Sequence, residues 1–244
     1  MEPSPRPSAL HRFRWLIGGV VVVLLAVTVG PFVYIHFIHE DPPPRQTVDD
    51  VTTTTSAEGS TTTAAPGATT AAGLDGTWSV TDGSSVGYRV KEVLFGQSAT
   101  AVGSTSAVTG TVTISGTTVS AASFEADMTT VKSDEDRRDG QFNGRIMETG
   151  QFPTATFELT KPIDLGSVPA DGEKVTVKAT GKLTLHGVTN EITIDLTAKR
   201  TGSTFAVDSS IPITFADYAI DNPSGGPASV GDDGSLEVLL VFAR

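Results

Sequence analysis

Residues 174–200, KVTVKATGKLTLHGVTNEITIDLTAKR, decide the fold class of this chain. Apolar and polar side chains alternate along this stretch with a period of two, both before His186-Gly187 and after Val188. Such alternation places one set of side chains in a core and the other in water, as in a half-buried β-strand. Two runs of this kind joined by a short turn containing glycine predict an antiparallel hairpin.

The same alternation recurs in shorter segments over the C-terminal part of the chain. Further strands are predicted at 77–81, 86–93, 107–115, 119–130, 154–160, 203–215 and 236–242. About nine strands at regular spacing are typical of an all-β barrel or sandwich. One segment differs: Ser133 followed by three acidic residues predicts a short helix, which Ser133 caps and which runs to about Arg145, with Phe142 and Ile146 on one side.

The N-terminal region is of a different kind. Residues 15–38 contain no Asp, Glu, Lys or Arg, and 15–35 would extend roughly 31 Å as a helix, which is enough to cross a bilayer. Arginines precede this stretch and acidic residues follow it. We therefore expect a protein of the cell membrane with a single transmembrane helix at 15–38. Its basic tail at 1–14 is expected in the cytoplasm, and its C-terminal part outside the cytoplasm. A cleaved signal peptide is the alternative, although its apolar region is usually shorter.

Residues 39–73 are rich in Thr, Pro and Ala and contain no Phe, Trp or Tyr. A segment of this composition buries too little apolar surface to fold, so we expect a disordered linker before the domain at 74–244. Its threonine runs would suit O-glycosylation, and a plain spacer is the simpler alternative.

The composition of the outer domain narrows its chemistry. The chain has no cysteine, which excludes disulfides and thiolate zinc sites. From Leu74 onward, 22 acidic residues face 13 basic ones without a basic run, so we expect no nucleic-acid binding. The one histidine of this domain, His186, lies beside the turn on the polar face, where we expect it to be solvated. We expect no catalytic residues, no metal and no cofactor; acid–base chemistry by His186 or the carboxylates of 134–139 is the alternative.

The inward positions of the strands mix bulky side chains with small ones. Phe124 and Phe157 represent the first kind, and Ala155, Ala179 and Gly181 the second. A barrel of about eight strands is either filled by side chains or holds one ligand. The small residues favour a cavity, but they would equally suit points where the barrel is narrow. An apolar cavity without charged groups would suit a long hydrocarbon chain.

A set of short motifs spans nearly the whole outer domain. They are WSVTD at 78–82, SSV at 84–86, YRV at 88–90, VTG at 108–110, RD at 138–139, FPTATF at 152–157, GKLTLHGVT at 181–189, DYAI at 217–220 and VGD at 230–232. In order and spacing they resemble the YceI-like family of exported, lipocalin-like proteins. The resemblance implies an all-β fold: an eight-stranded antiparallel lipocalin-like barrel with one short helix, preceded in this chain by a single transmembrane helix and a disordered linker.

The resemblance also implies a function, namely binding of a polyisoprenoid or other long-chain lipid in the barrel. The residues expected to form the cavity wall are Tyr88, Val90, Phe95, Phe124, Met128, Phe142, Ile146, Phe157, Leu183, Leu185, Ile194 and Phe205. In this chain QFN at 141–143 replaces the usual His-Leu-Arg, which puts a head-group role of the helix in doubt. The alternative is a filled barrel that serves as a non-enzymatic envelope scaffold or interaction module. A homodimer is left open.

Overall fold

The computed structural model describes residues 23, 29, 42–51, 74–226 and 228–244, and their regular structure is almost entirely β. The strands are β1 (Gly76–Val80), β2 (Ser85–Leu94), β3 (Gln97–Thr105), β4 (Val108–Ser115), β5 (Thr118–Asp127), β6 (Lys132–Ser133), β7 (Thr154–Leu159), β8 (Ile163–Asp164), β9 (Lys174–Leu185), β10 (Val188–Thr201), β11 (Thr204–Thr214), β12 (Ala228–Val230) and β13 (Asp233–Ala243). The short helix α1 (Asp136–Gln141) continues into a π-helical turn at Phe142–Ile146. Short 3-10 turns lie at Met128–Thr130 and Phe215–Tyr218.

The sheet closes into an antiparallel barrel. Its order is β1–β4–β5–β7–β9–β10–β11–β13, and β13 pairs back with β1. Residues 81–84, between β1 and β2, interrupt this edge of the barrel. On the other side of the interruption, β13 pairs with β2 in place of β1, and β2 pairs with β3 in place of β4. The barrel therefore has eight strand positions and one short helix among its described residues, which confirms the eight-stranded all-β prediction.

The predicted hairpin is confirmed by β9 and β10. Their register runs from Lys174 opposite Lys199 to Leu185 opposite Val188. The two turn residues, His186 and Gly187, have φ angles of 50° and 74°. Two successive left-handed residues make the turn type whose twist matches that of the flanking strands.

The β3 strand was not predicted from the sequence. Its residues, QSATAVGST, are mostly small or polar and lack the bulky alternation seen in β9. β3 nevertheless pairs with β2 from Gln97 to Thr105, across a tight turn at Phe95-Gly96. The pairing with β2 overrides the weak intrinsic strand preference of these residues.

Residues 42–51, here called the strap, lie across the outside of the barrel. Val48 is buried and packs with Val51 against the outward side chains of Ala206, Leu239 and Val241. The strap falls within the segment expected to be a disordered linker. It is ordered because the outward face of β11 and β13 is apolar at this point, so that covering it removes apolar surface from water.

The predicted transmembrane segment, 15–38, lies outside the described residues except for Val23 and Val29. Within the described part of the chain, no helix is both long enough and apolar enough to cross a membrane.

Candidate functional site

The interior of the barrel contains two cavities of different size. The wide cavity has a volume of about 670 Å³, is open to solvent on one side, and is lined mainly by β2, α1, the π-helical turn and the segment 213–236. The narrow cavity has a volume of about 130 Å³ and lies between the inward faces of β4, β5, β7, β9, β10, β11 and β13. Ligand pockets in proteins usually measure about 300–1,000 Å³, whereas an apolar void of about 150 Å³ holds only a molecule such as benzene. Only the wide cavity has the size of a site for a long chain.

An aromatic pair forms one wall of the wide cavity. The rings of Tyr88 and Phe142 are stacked with their centroids 5.1 Å apart. Tyr88 also lies against the backbone of Gly103, where a Cβ atom would stand 2.6 Å from the ring. Burial raises the pKa of the Tyr88 hydroxyl to about 12. The hydroxyl is therefore neutral at physiological pH and adds no charge to the wall.

The helix beside this wall is held by hydrogen bonds to a buried carboxylate. Asp139 accepts hydrogen bonds from the backbone N–H and the hydroxyl of Ser133, both at 2.8 Å, and Lys132 lies 3.2 Å away. Burial alone would raise the pKa of Asp139, but these donors together hold it below its ordinary value. The prediction that Ser133 caps the helix is wrong: the N-cap residue of α1 is Glu135 and no side chain caps it, while the Ser133 hydroxyl accepts from the Glu135 N–H at 3.2 Å just before the helix.

Charged side chains line the mouth of the wide cavity, and their signs are mixed. Arg138 pairs with Asp134 and lies 3.8 Å from Glu92. Arg145 donates to the carbonyl oxygen of Pro223 at 3.1 Å, and Arg137 is exposed. The mouth therefore offers polar contacts at the water-facing end of an otherwise apolar cavity.

The expected solvation of His186 is wrong. Its side chain is only 8% exposed, with Nδ1 3.1 Å from the carbonyl oxygen of Tyr218 and Nε2 3.2 Å from Oε2 of Glu148. The ring of Phe152 packs edge-on against it at 4.7 Å. The segments around residues 148–152 and 215–218 fold over the hairpin turn, which the alternation of one hairpin cannot reveal. His186 thus ties the hairpin turn to the segments around Glu148 and Tyr218.

The predicted wall residues divide between the two halves of the barrel. Those that line the wide cavity are Tyr88, Val90, Phe95, Met128, Phe142, Ile146 and Leu185. Those that line the narrow cavity are Phe124, Phe157, Ile194 and Phe205. Leu183 lines neither cavity and is completely buried in the core. Which of these side chains contact a ligand stays a prediction.

The structure adds wall residues that were not among those predicted. They are Ala101, Ile213, Phe215, Ile220, Val230 and Leu236. Ile213 and Leu236 lie on predicted strands, so the alternation could have identified them. Ile220 and Val230 come from the long connection between β11 and β13, whose path the sequence pattern does not predict.

The small inward residues do not all create space. A Cβ atom on Gly181 would lie 2.4 Å from Cζ of Phe157 and 2.5 Å from the carbonyl oxygen of Glu158. The Phe157 ring, stacked on Phe124 at 5.8 Å, therefore occupies the space that the missing side chain leaves. Here glycine marks a narrow point of the barrel, which was one of the two interpretations left open by the sequence.

The described residues contain no group of three or more His, Asp or Glu side chains that could hold a metal ion. Of the ionisable side chains at the wide cavity, Arg137 and Arg145 are exposed, whereas Glu92 and Arg138 face each other and are largely buried; most of the remaining wall is aliphatic and aromatic. This arrangement can enclose an apolar chain and leave a polar end in contact with water.

Comparison with known proteins gives a family match and a fold match. Residues 78–242 match the YceI-like domain. UPF0312 protein VPA0850 of Vibrio parahaemolyticus is 39% identical over 70 residues, which cover 28% of this chain and a third, 33%, of that protein.

Two solved structures share the fold. One is a polyisoprenoid binding domain from Saccharophagus degradans implicated in plant cell wall breakdown, with a TM-score of 0.57 and 20% identity, covering 69% of this chain and 98% of that one. The other is Burkholderia cenocepacia BcnA, with a TM-score of 0.50 and 21% identity, covering 64% of this chain and 95% of that one.

Proposed function

This chain belongs to the YceI-like domain family, and from that premise we propose that its barrel binds a polyisoprenoid or similar long-chain lipid in the wide cavity. The observation that carries the proposal is the 670 Å³ volume of that cavity behind a wall of apolar side chains. The fold shared with a polyisoprenoid binding domain supports the same ligand class.

The energetics of the site favour a chain over a compact polar ligand. Burial of each CH₂ group is worth about 0.8 kcal/mol, so a few isoprene units give useful affinity without a charged contact. The interior wall, for example Phe142, Ile146 and Leu185, offers apolar contact and no charge. Binding rather than catalysis is the role that this wall and the family support.

The proposal also includes the cellular location of the protein. The apolar stretch at 15–38 anchors it in the cell membrane as a single-pass helix, with residues 1–14 in the cytoplasm and the barrel outside. Residues 52–73, between the strap and the barrel, are rich in Thr and lack aromatic residues, a composition typical of a linker. An anchored barrel stays close to its source of lipid, which raises the effective concentration of ligand.

Native mass spectrometry of the full chain purified in detergent, followed by lipid extraction, tests the proposal. We expect one co-purifying long-chain lipid. Ile146→Asn, which places an amide in the cavity wall, should lower lipid occupancy several-fold. Val168→Asn, a matched change at an exposed apolar position on the opposite end of the barrel, should leave occupancy unchanged.

The competing function is a filled barrel that acts as an envelope scaffold. It predicts no co-purifying lipid, no uptake of added polyprenol and no difference between the two variants. That result would overturn the lipid-binding proposal.

A further inference from the structure

The turn between β2 and β3 exposes an apolar tip at the mouth of the wide cavity. Phe95 is 56% exposed and Val93 is 43% exposed; apart from the two N-terminal valines, Val168 is the one other large apolar side chain so exposed among the described residues. Phe95 also lines the cavity mouth. An exposed apolar tip at the entrance of a lipid site is a candidate contact with the source of that lipid.

The backbone at this tip argues that Phe95 is not an ordinary turn residue. Phe95 and Gly96 have φ angles of 51° and 79°. Tight turns with two left-handed residues favour Asn-Gly or Gly-Gly, and a bulky side chain there is uncommon because its Cβ atom is strained. A strained and exposed phenylalanine does not stabilise the turn. Its presence is better explained by contact with a partner.

The two ends of the strap contact different halves of the barrel. Its first residues lie near the wide half, since Arg89 on β2 donates to the carbonyl oxygen of Pro43 at 2.7 Å. Its last residues lie at the narrow end, since Asp49 pairs with Lys174 and Lys199. Followed from Asp49 back to Pro43, the strap therefore runs toward the mouth.

Between these ends, the strap is fixed to the barrel by a buried carboxylate. Asp208 accepts from the Arg45 guanidinium at 2.6 Å and from the Val48 backbone N–H at 2.9 Å. Because Asp208 is itself buried, loss of these donors would leave an uncompensated charge. The direction of the strap is therefore set by contacts in its middle as well as at its ends.

The number of residues between the strap and the apolar stretch at 15–38 limits how far that stretch can lie from the mouth. Phe95 lies six positions after Arg89, which is about 20 Å along the strand. Ile38, the end of the apolar stretch, lies five positions before Pro43 in the sequence, a distance of at most about 18 Å in an extended chain. Ile38 can come level with the tip but not far beyond it.

From these observations we propose that the mouth of the barrel docks on the outer surface of the lipid bilayer, with Phe95 inserted among the lipids. The strap holds the barrel in this orientation, so that lipid passes between the bilayer and the wide cavity without crossing water. The charges around the mouth are mixed, so the apolar tip carries the contact. The proposal rests on the membrane anchor and lipid site proposed above.

The absence of cysteine from the sequence provides a direct test. Full chains carrying Phe95→Cys or Val168→Cys are labelled with a fluorophore and reconstituted in phosphatidylcholine vesicles that contain doxyl-labelled lipid. Val168 is the matched control, because it is an exposed valine on the loop that leads to β9 at the narrow end. We expect the Phe95 label to be quenched several-fold more than the Val168 label.

Equal quenching, stronger quenching at Val168, or failure of the chain to remain with the vesicles would overturn the docking proposal. Val48→Asp places a charge in the apolar contact between the strap and the barrel. It should reduce quenching of the Phe95 label while the melting temperature still reports a folded barrel. Unchanged quenching in that variant would overturn the role of the strap. Lipid occupancy measured in detergent, where no bilayer is present, reports the proposed function separately.

Discussion

The two halves of this barrel share one sheet but differ in what fills them. In the narrow half, aromatic rings such as those of Phe124, Phe157 and Phe205 occupy the interior and leave about 130 Å³. In the wide half, the helix and the 213–236 segment line a cavity of about 670 Å³. The filled barrel and the hollow barrel, which were alternatives for the whole domain, each describe one half of it. We infer that the narrow half supplies stability and the wide half supplies binding.

The largest expected effect contrasts one phenylalanine from each half. Phe157→Ala should lower the free energy of unfolding by about 3–5 kcal/mol, because the ring fills a closed interior that cannot collapse around the gap. Phe142→Ala should cost less, because its ring already borders an open cavity. Urea unfolding followed by circular dichroism measures both. Equal losses in the free energy of unfolding would contradict the proposed difference between the two halves.

A second contrast uses two glycines. Gly181→Ala should destabilise the barrel by about 1–3 kcal/mol, because the new Cβ atom meets the Phe157 ring and a backbone oxygen. In Gly103→Ala the three atoms nearest to the new Cβ all belong to the Tyr88 side chain, which borders the wide cavity and can move into it, so we expect a smaller loss. Midpoints of thermal unfolding compare the two variants; an equal or greater loss for Gly103→Ala would show that the wide half is as tightly packed as the narrow one.

A smaller effect concerns pH and the helix over the wide cavity. The pKa of Asp139 is lowered in the folded protein, so its contribution to stability is present above the ordinary aspartate value of about 4 and is lost as pH falls below it. Asp139→Asn should therefore cost about 1–2 kcal/mol at pH 7, through hydrogen bonds to a buried charge. Urea unfolding of both proteins at pH 7, 5 and 3 should show this difference shrinking at the lowest pH. A difference that is constant with pH would contradict the assigned role of the carboxylate.

The sequence predicted the parts of the molecule in which local pattern and tertiary structure agree. The alternation in β9 and β10 was sufficient for the hairpin, and ordered motifs identified the eight-stranded barrel. It failed at β3, where small residues pair only because β2 lies beside them. It also failed at His186, whose burial depends on segments far away in the chain.

The sequence could not show which predicted wall residues line the wide cavity and which line the narrow one, because this too depends on distant parts of the chain. Alternation shows that a side chain points inward, but not whether the interior at that level is filled. Phe142 and Phe157 both point inward, yet one borders the wide cavity and the other fills the space above Gly181. Only the path of the helix and of the connection between β11 and β13 separates the two cases.

Photocrosslinking tests the division between the halves most directly. The full chain, loaded with a polyprenol that carries a benzophenone group, is irradiated and the crosslinked peptides are identified by mass spectrometry. We predict crosslinks on the wide cavity wall, at Phe142, Ile146 and Leu185. Crosslinks confined to narrow-half residues such as Leu196 and Val207, or no crosslinks at saturating polyprenol, would contradict the account.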